Sequence, residues 1–338
     1  MKKLSRREFL GVTATAAAVS MTALNSNGAV GQEASKATEY RTKLYKSISC
    51  SLENIPKQAE ALAGMGYDGI ETNWEGPVKV AREARAAAEA NGLRVHSVLR
   101  GWTNFNVPED HDKDIESVKT ALRTARAVGA DAILLVPCRT DAPAGINPWD
   151  IKIEYDPTTC LVSKISEGDN APFADYIKKQ NEATEATRRC LEECIPTAAA
   201  EGVTIALENV WNNLWVTPEF AAAFIRSLDN VWIKAYYDMG NHVKYAPTEE
   251  WFRALGKSLI SKLHIKDFSL DKSKPDGGSF AGFVPIGHGT VDWVSVRNAI
   301  EEVGFSGFVT LEDVAHFTPE QHSVLLDDFI AGRPMSIK

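Results

Sequence analysis

A short pattern recurs along this chain and constrains its fold more than any other feature. Helical residues end near a glycine, and an apolar strand begins a few residues later. Glycine readily adopts the left-handed conformation that ends a helix. The pattern occurs in GMGYDGIET (64–72), NGLRVHSVL (91–99), VGADAILLVP (128–137), EGVTIALEN (201–209) and VGFSGFVTLED (303–313).

Three further strands complete a predicted set of eight: LYKSISC (44–50), KAYYDM (234–239) and ISKLHIKD (260–267). Helical spacing of apolar residues predicts helices over 55–65, 78–90, 114–128, 181–200 and 293–303. Strict alternation predicts parallel strands joined by crossover helices. Eight such units in about 300 residues are typical of an α/β fold of the (β/α)8 TIM barrel type. The alternative is an open doubly wound sheet, which usually carries a glycine-rich loop after its first strand; SLENIPKQ (51–58) is not such a loop.

The first 31 residues have the features of a twin-arginine export signal. Arg6 and Arg7 precede an apolar stretch, and small residues near position 30 suit cleavage. A membrane anchor is the alternative, but the apolar stretch is short for a bilayer. We therefore expect a periplasmic or otherwise exported protein that uses the twin-arginine machinery and leaves the membrane after cleavage.

For the domains, we predict a signal over 1–31, a flexible leader over 32–42 and a single barrel over 43–338. A long insertion at about 138–180 is rich in Gly, Pro, Asp and Asn. Loops of this length are usually functional or disordered. The insertion is interpreted as a lid or an oligomer contact, with a family-specific loop of no function as the alternative.

The net charge bears on which partners the chain can bind, and the cysteines bear on zinc sites, redox sites and disulfides. The chain has a net charge of −8, which becomes −11 without residues 1–31. An acidic chain repels phosphate backbones, so no nucleic acid partner is expected. The five cysteines are odd in number and follow no zinc or redox spacing, and the sequence does not say whether two of them form a disulfide.

Acidic residues and histidines stand at or near the C-terminal ends of six predicted strands, and these ends converge in a closed barrel. The residues are Glu71, His96, Glu208, Asp238, His264 and Glu312. A single strand-end glutamate is more often a solvated cap. The last four residues, however, lie on consecutive strands and form an oxygen-rich set with one imidazole. Such a set suits Mn²⁺, Co²⁺, Mg²⁺ or Fe²⁺, and Zn²⁺ is possible. A cation would also relieve the repulsion among the carboxylates.

Several motifs resemble those of the xylose-isomerase-like TIM barrels, over residues 44–328. They are IALEN (205–209), YYDMGN (236–241), KLHIKDF (262–268), GHGTVDW (287–293) and GFSGFVTLED (304–313). The resemblance implies a sugar isomerase or epimerase, and possible homo-oligomers. It also implies one divalent metal ion held by Glu208, Asp238, His264 and Glu312. In ketose 3-epimerases of the family, two metal-bound glutamates act as acid and base, which implies Glu208 and Glu312 here. The implied reaction is proton abstraction next to a carbonyl through a metal-stabilised enediolate.

Other residues near the predicted mouth are candidates for binding a small sugar. Hydroxyl groups need hydrogen-bonding partners, and aromatic rings pack on sugar C–H surfaces. The alternatives are ordinary loop packing for the tryptophans, core packing for His96, and for Lys266 an ion pair with Asp267 or Glu312. The candidates are Glu71, Trp74, His96, Trp102, Asn209, Trp211, Asn241, His242 and Lys266. In GHGTVDW we expect a structural role, with a tight turn at the glycines, Asp292 as a helix cap and His288 exposed.

The sequence also departs from the family. Many members have histidine where Asn241 stands, and ketulose 3-epimerases have glutamate and arginine where Leu214 and Leu270 stand. The substrate therefore stays open, although export argues against a phosphorylated sugar. The alternatives are a metal-dependent lyase, dehydratase or hydrolase acting on an oxidised (keto) sugar or glycoside, a nuclease, and a sugar-binding protein without catalysis.

Overall fold

The structure, a computed structural model, describes residues 39–278, 280–312 and 317–335. The predicted signal lies outside the described residues. Eight parallel strands close into a barrel in the order β1-β8-β7-β6-β5-β4-β3-β2, which confirms the predicted TIM barrel. The strands are β1 (Leu44–Ser49), β2 (Gly69–Asn73), β3 (Arg94–Trp102), β4 (Ala132–Val136), β5 (Thr204–Glu208), β6 (Ile233–Asp238), β7 (Ile260–Ile265) and β8 (Gly307–Leu311).

A helix follows each barrel strand. The helices are α1 (Ile55–Gly64), α2 (Val78–Ala90), α3 (His111–Val128), α4 (Ala174–Glu201), α5 (Pro218–Ser227), α6 (Thr248–Leu259), α7 (Trp293–Val303) and α8 (Pro319–Ile330). Gly129, Gly202 and Gly304 end α3, α4 and α7 in the left-handed conformation, as the recurring pattern predicts. Among the described residues, no helix combines the length and apolar character needed to cross a bilayer.

Successive side chains of a barrel strand point alternately into the barrel and toward the surrounding helices, so both faces of such a strand can be buried. In β4, Ile133 and Leu135 join the large core between strands and helices. Leu134 and Val136 point into the barrel, where they pack with Ala206 and Tyr236. Burial on both faces explains why every residue of β4 is apolar.

The other side of the barrel interior is polar. Its completely buried polar residues include Ser47, Glu71, His96, His264 and Thr310. They come from β1, β2, β3, β7 and β8. Buried polar groups need hydrogen-bonding partners, and their partners inside the barrel determine the geometry of the site described below.

The insertion after β4 packs against the barrel. It contains a small hairpin of Glu154–Tyr155 with Val162–Lys164, and its last residues form the start of α4, which begins before the predicted position 181. The Tyr176 hydroxyl donates to the Asn213 carbonyl oxygen at 2.9 Å, and the Asn213 amide donates to the Thr140 carbonyl oxygen at 2.8 Å. The insertion is therefore tied to the loop that follows β5.

The GHGTVDW segment has the structural role expected of it. The Asp267 carboxylate accepts hydrogen bonds from the backbone amides of Gly287 and Gly289 at 2.9 and 3.0 Å. A Cβ at position 289 would overlap this carboxylate. Asp292 caps α7 by accepting a hydrogen bond from the Ser295 amide, and His288 is exposed. Since Asp267 is committed to this turn, it does not pair with Lys266.

All five cysteines are buried and free of disulfides.

Candidate metal centre

The four predicted ligands converge at the C-terminal mouth of the barrel. Glu208 and Asp238 end β5 and β6, His264 lies in β7 and Glu312 follows β8. Asp238 lies opposite His264 in the register of β6 and β7. One potential ligand atom of each residue lies within 4.8 Å of the others. The predicted gathering is confirmed, and this buried cluster could hold a metal ion.

Burial and mutual repulsion make the cluster unstable as a set of bare anions. Burial, together with the nearby Glu312 and Glu208, raises the pKa of Asp238 to about 6, although Lys266 opposes this rise. Glu208 Oε2 is buried without a hydrogen-bonding partner. A buried acceptor without a partner is costly. A divalent cation would satisfy it, so the donor set fits a metal ion.

The His264 ring connects the cluster to the barrel interior. Its Nδ1 lies 3.8 Å from Glu208 Oε1 and 3.5 Å from Glu312 Oε2. Burial alone would lower the pKa of His264, but the carboxylates of Glu71, Glu208 and Glu312 raise this pKa well above its usual value. The distances show that Nδ1 faces the carboxylates of the candidate metal position.

Lys266 places an ammonium group beside the cluster. Its Nζ lies 2.6 Å from Glu312 Oε2 and 3.3 Å from both Asp238 Oδ2 and Asn241 Oδ1. Burial would lower the pKa of Lys266, but Asp238 and Glu312 raise it. Of the two alternative ion pairs expected for Lys266, the one with Glu312 is present.

Asn209 and Asn241 hold the ends of β5 and β6 together. The Asn209 amide accepts from the Asp238 backbone N–H at 2.7 Å and donates to the Asp238 carbonyl oxygen at 2.8 Å. Asp238 Oδ1 accepts from the backbone amides of Gly240 and Asn241, at 2.9 and 2.7 Å. Asn241 Nδ2 donates to the Asn209 carbonyl oxygen at 3.0 Å. Both asparagines, predicted to bind substrate, thus help to orient the candidate ligand Asp238, and contact with a sugar stays a prediction.

His242 lies behind the loop that follows β5. It is 2 % exposed, and its Nε2 lies 2.9 Å from the Val210 carbonyl oxygen. Burial lowers the pKa of His242 to about 3, so the ring is neutral and donates this hydrogen bond. Its place favours support of the loop over the predicted contact with a substrate.

The three tryptophans predicted at the mouth are half-buried, and each has a cation over its ring. Arg100 lies 5.3 Å from the Trp74 ring centroid, Arg139 lies 4.3 Å from that of Trp102, and Lys244 lies 3.7 Å from that of Trp211. Trp211 also donates a hydrogen bond to the Asn241 carbonyl oxygen. Cation–π contacts thus stabilise the positions of all three rings, and contact of these rings with a sugar stays a prediction.

Glu71 and His96 lie deeper than the sequence predicted. Strand β2 continues to Asn73, so Glu71 does not end it and its side chain points into the barrel. His96 Nε2 contacts Ser47 Oγ at 2.7 Å, and its ring stacks on Phe308. Both residues are completely buried. Their partners inside the barrel favour a supporting role over the predicted contact with a sugar.

Sequence reasoning missed two residues of the site. The Tyr236 hydroxyl donates to Glu71 Oε2, and Ser49 Oγ donates to Glu71 Oε1 at 3.1 Å. Tyr236 precedes Asp238 by two residues and therefore shares its face of the strand. That spacing was an available signal, but an apolar strand gives no reason to separate this tyrosine from ordinary core residues.

Comparison with known proteins identifies the family. A family profile described as "Xylose isomerase-like TIM barrel" matches residues 59–324. L-ribulose-5-phosphate 3-epimerase of Escherichia coli strain K12 is 28 % identical over 137 residues, which is 40 % of this chain and 45 % of the relative. The match thus spans about half the length of this curated relative.

Solved structures share the fold. The 3-keto-D-glucoside 4-epimerase from E. coli superposes with a TM-score of 0.62 at 16 % identity, covering 85 % of this chain and 99 % of that chain. The IolI protein, crystallised with a zinc atom, gives a TM-score of 0.59 at 17 % identity, covering 82 % and 94 % of the two chains. At these identities the likeness shows the fold alone.

Proposed function

The chain belongs to the xylose isomerase-like TIM barrel family, and from this premise we propose that it is a metal-dependent isomerase or epimerase of a keto-sugar or sugar derivative. One observation carries the proposal. A glutamate, an aspartate, a histidine and a second glutamate from four consecutive strands bring ligand atoms within 4.8 Å of one another at the barrel mouth. Relatives named as sugar epimerases support the same class of enzyme.

The cation would be held by Glu208, Asp238, Glu312 and Nδ1 of His264. Oxygen-rich ligands favour Mn²⁺, Co²⁺, Mg²⁺ or Fe²⁺, and the zinc atom of a structural relative supports Zn²⁺ as a further candidate. When bound, a divalent cation would polarise the carbonyl group of the substrate and stabilise the negative charge that develops on its oxygen.

Glu208 and Glu312 are the proposed proton-transfer groups. Glu208 ends β5 and Glu312 follows β8, so the two carboxylates flank the ends of β6 and β7 from two sides. A sugar carbon held between them would have one carboxylate to remove its proton and another to return a proton on the opposite face. Lys266 beside Glu312 would stabilise negative charge on this carboxylate.

For the substrate, we propose a free sugar or glycoside. The curated relative is named for a phosphorylated sugar, but its match covers 40 % of this chain. The twin-arginine pattern at Arg6 and Arg7 favours export, and sugar phosphates are mainly cytosolic. Leu214, which replaces an acidic residue of related epimerases, is 2 % exposed and offers no polar group to a sugar.

Isotope exchange tests the proposed reaction. The purified protein with Mn²⁺ or Co²⁺ is incubated with free ketoses and 3-keto-glycosides in D₂O, and proton NMR follows the hydrogen on the carbon next to each carbonyl. We expect exchange together with a new epimer or isomer. The Glu208→Gln, Glu312→Gln double variant should lose both, whereas Glu185→Gln, a change at an exposed position of α4, should keep them.

The other outcomes would replace the proposal. Exchange with loss of water or an aglycone would assign a lyase, dehydratase or hydrolase acting on a keto-sugar or glycoside. Metal binding without exchange on any substrate would contradict the proposed proton transfer and favour a protein that binds without catalysis.

A further inference from the structure

Glu71 forms a buried contact with His264 on the side of the ring away from the candidate metal position. Its Oε1 and Oε2 lie 3.0 and 2.9 Å from His264 Nε2. Both side chains are completely buried. The contact joins β2 to β7 through the barrel interior, and neither residue is near the other in sequence.

The contact fixes which ring nitrogen can bind a metal. An ionised carboxylate only accepts hydrogen bonds, so Nε2 must carry the hydrogen. Nδ1 is then the nitrogen that can release its hydrogen and bind a cation at the cluster, where Glu208 and Glu312 lie within 3.8 Å. A metal-binding histidine commonly donates its other N–H to a carboxylate, which fixes its orientation and raises its basicity as a ligand.

Two hydroxyl groups hold the carboxylate in place. Tyr236 donates to Oε2 and Ser49 donates to Oε1, so each oxygen has a donor besides the imidazole. Burying an anion is costly unless such donors compensate. The donors approach different oxygens, so rotation of the carboxylate would break at least one hydrogen bond.

We propose that Glu71 is a positioning residue that holds His264 as an Nδ1 metal ligand, with Tyr236 and Ser49 holding Glu71. The inference rests on the proposed function in one respect, namely that the cluster binds a divalent cation. It replaces the contact between Glu71 and a sugar that the sequence suggested. Glu71 acts through His264 and does not touch the substrate.

Metal affinity and ligand spectroscopy test the role of Glu71. We expect Glu71→Gln to weaken Co²⁺ binding about 10–100-fold, measured by calorimetric titration, and to change the visible absorption of bound Co²⁺. The amide is uncharged and keeps a single acceptor oxygen, which cannot replace both carboxylate oxygens toward Nε2–H and the two hydroxyl groups, so the ring is held less firmly. Tyr236→Phe removes one donor and should weaken binding less, by roughly 2–10-fold.

Glu301→Gln provides a matched control. The Glu301 carboxylate also accepts several hydrogen bonds, from Arg41 and Thr42, but it lies on α7 away from the ligands. This variant should keep the Co²⁺ affinity and spectrum even where it lowers the unfolding temperature. If Glu71→Gln lowers only the unfolding temperature, Glu71 is structural and the proposal is overturned.

A measurement on the unaltered protein covers the case in which Glu71→Gln does not fold. Long-range ¹H–¹⁵N correlation spectra of the zinc-loaded protein report the protonated nitrogen of each histidine. We expect His264 to be protonated on Nε2 and metal-bound through Nδ1; the opposite tautomer would overturn the proposal. An unaltered protein that binds none of Co²⁺, Mn²⁺ and Zn²⁺ would refute the proposed function as well. Equal Co²⁺ binding by unaltered protein and Glu71→Gln would refute the positioning role alone.

Discussion

Lys266 brings a positive charge to a mouth that is otherwise crowded with carboxylates. Its ammonium contacts Glu312 and Asp238, and both Lys266 and Glu312 keep about a fifth of their side-chain surface exposed. In the absence of a metal ion, this ammonium and the imidazole of His264 supply the charge that offsets the acids. Lys266 therefore contributes to the stability of the site when no metal ion is bound.

We expect Lys266→Met to lower the unfolding free energy of the metal-free protein by up to about 3 kcal/mol, because it removes the ammonium group that contacts two carboxylates. Mn²⁺ should reduce this deficit, since the cation supplies charge at the same place. Urea unfolding with and without Mn²⁺ measures both effects. Lys257→Met, at an exposed position of α6, is the control and should change little. Equal losses in the two variants would contradict the prediction.

The sequence predicts the ligands better than their support. Glu208, Asp238, His264 and Glu312 could be found because parallel strands bring their C-terminal ends to one mouth. The depth of Glu71 in the barrel could not be predicted, because it depends on where β2 ends. The residues ETNW (71–74) include none that stops a strand. The hydrogen bond between Tyr236 and Glu71 depends on side-chain contacts across the barrel. The alternation of residues along a single strand does not predict such contacts.

At the scale of the secondary-structure elements, the ends of β6 and β7 approach each other closely. Gly240 follows Asp238 and packs directly on the backbone of Lys266, where a Cβ would overlap the Lys266 carbonyl oxygen. The Gly240 amide also donates to Asp238 Oδ1. The glycine of the DMGN motif thus permits the close approach that places Asp238 beside His264.

Gly240→Ala should therefore separate the two strand ends. We expect a loss of about 1–3 kcal/mol in unfolding free energy, the usual cost of overpacking, together with weaker Co²⁺ binding. Urea unfolding and Co²⁺ titration measure the two effects. Gly64→Ala is the matched control, because nothing lies within 4 Å of its added Cβ. Unchanged Co²⁺ binding in Gly240→Ala would show that the spacing is not needed.

The secondary structure of the barrel could be predicted better than the structure of the insertion. The barrel strands and the helices α1, α2, α3, α4 and α7 follow from periodicity and from glycines such as Gly129 and Gly202, whereas α5, α6 and α8 were not predicted. Residues 138–180 have no periodicity because their packing depends on isolated contacts, such as the hydrogen bond between Tyr176 and Asn213. A role as lid or oligomer contact stays a prediction.

At the scale of the whole molecule, a ligand that binds only the folded barrel raises its stability. With a free cation at 100 times its dissociation constant, the expected gain is about 2.7 kcal/mol, or about 5 °C for a chain of this size. Chelation should reverse the gain in a thermal unfolding experiment. The Glu208→Gln, Glu312→Gln variant should show no response to metal, and a response equal to that of the unaltered protein would place the binding site elsewhere.

Export is a prediction about the entire chain and concerns residues outside the described ranges. We expect Arg6→Lys, Arg7→Lys to retain the protein in the cytoplasm, because the twin-arginine pathway reads this pair. Fractionation of cells that express the full-length chain measures the distribution. Lys2→Arg, Lys3→Arg keeps the same charge and serves as the control. Export of the twin-lysine variant would contradict the predicted route.

The contact between Glu71 and His264 also makes the two halves of the barrel depend on each other. All four candidate ligands lie in the second half, between positions 208 and 312, whereas the carboxylate that orients one of them lies in the first half. A gene divided between β4 and α4 would encode one fragment with every ligand and another with the group that aligns His264. Tight cation binding would then report the reassembly of two complementary fragments.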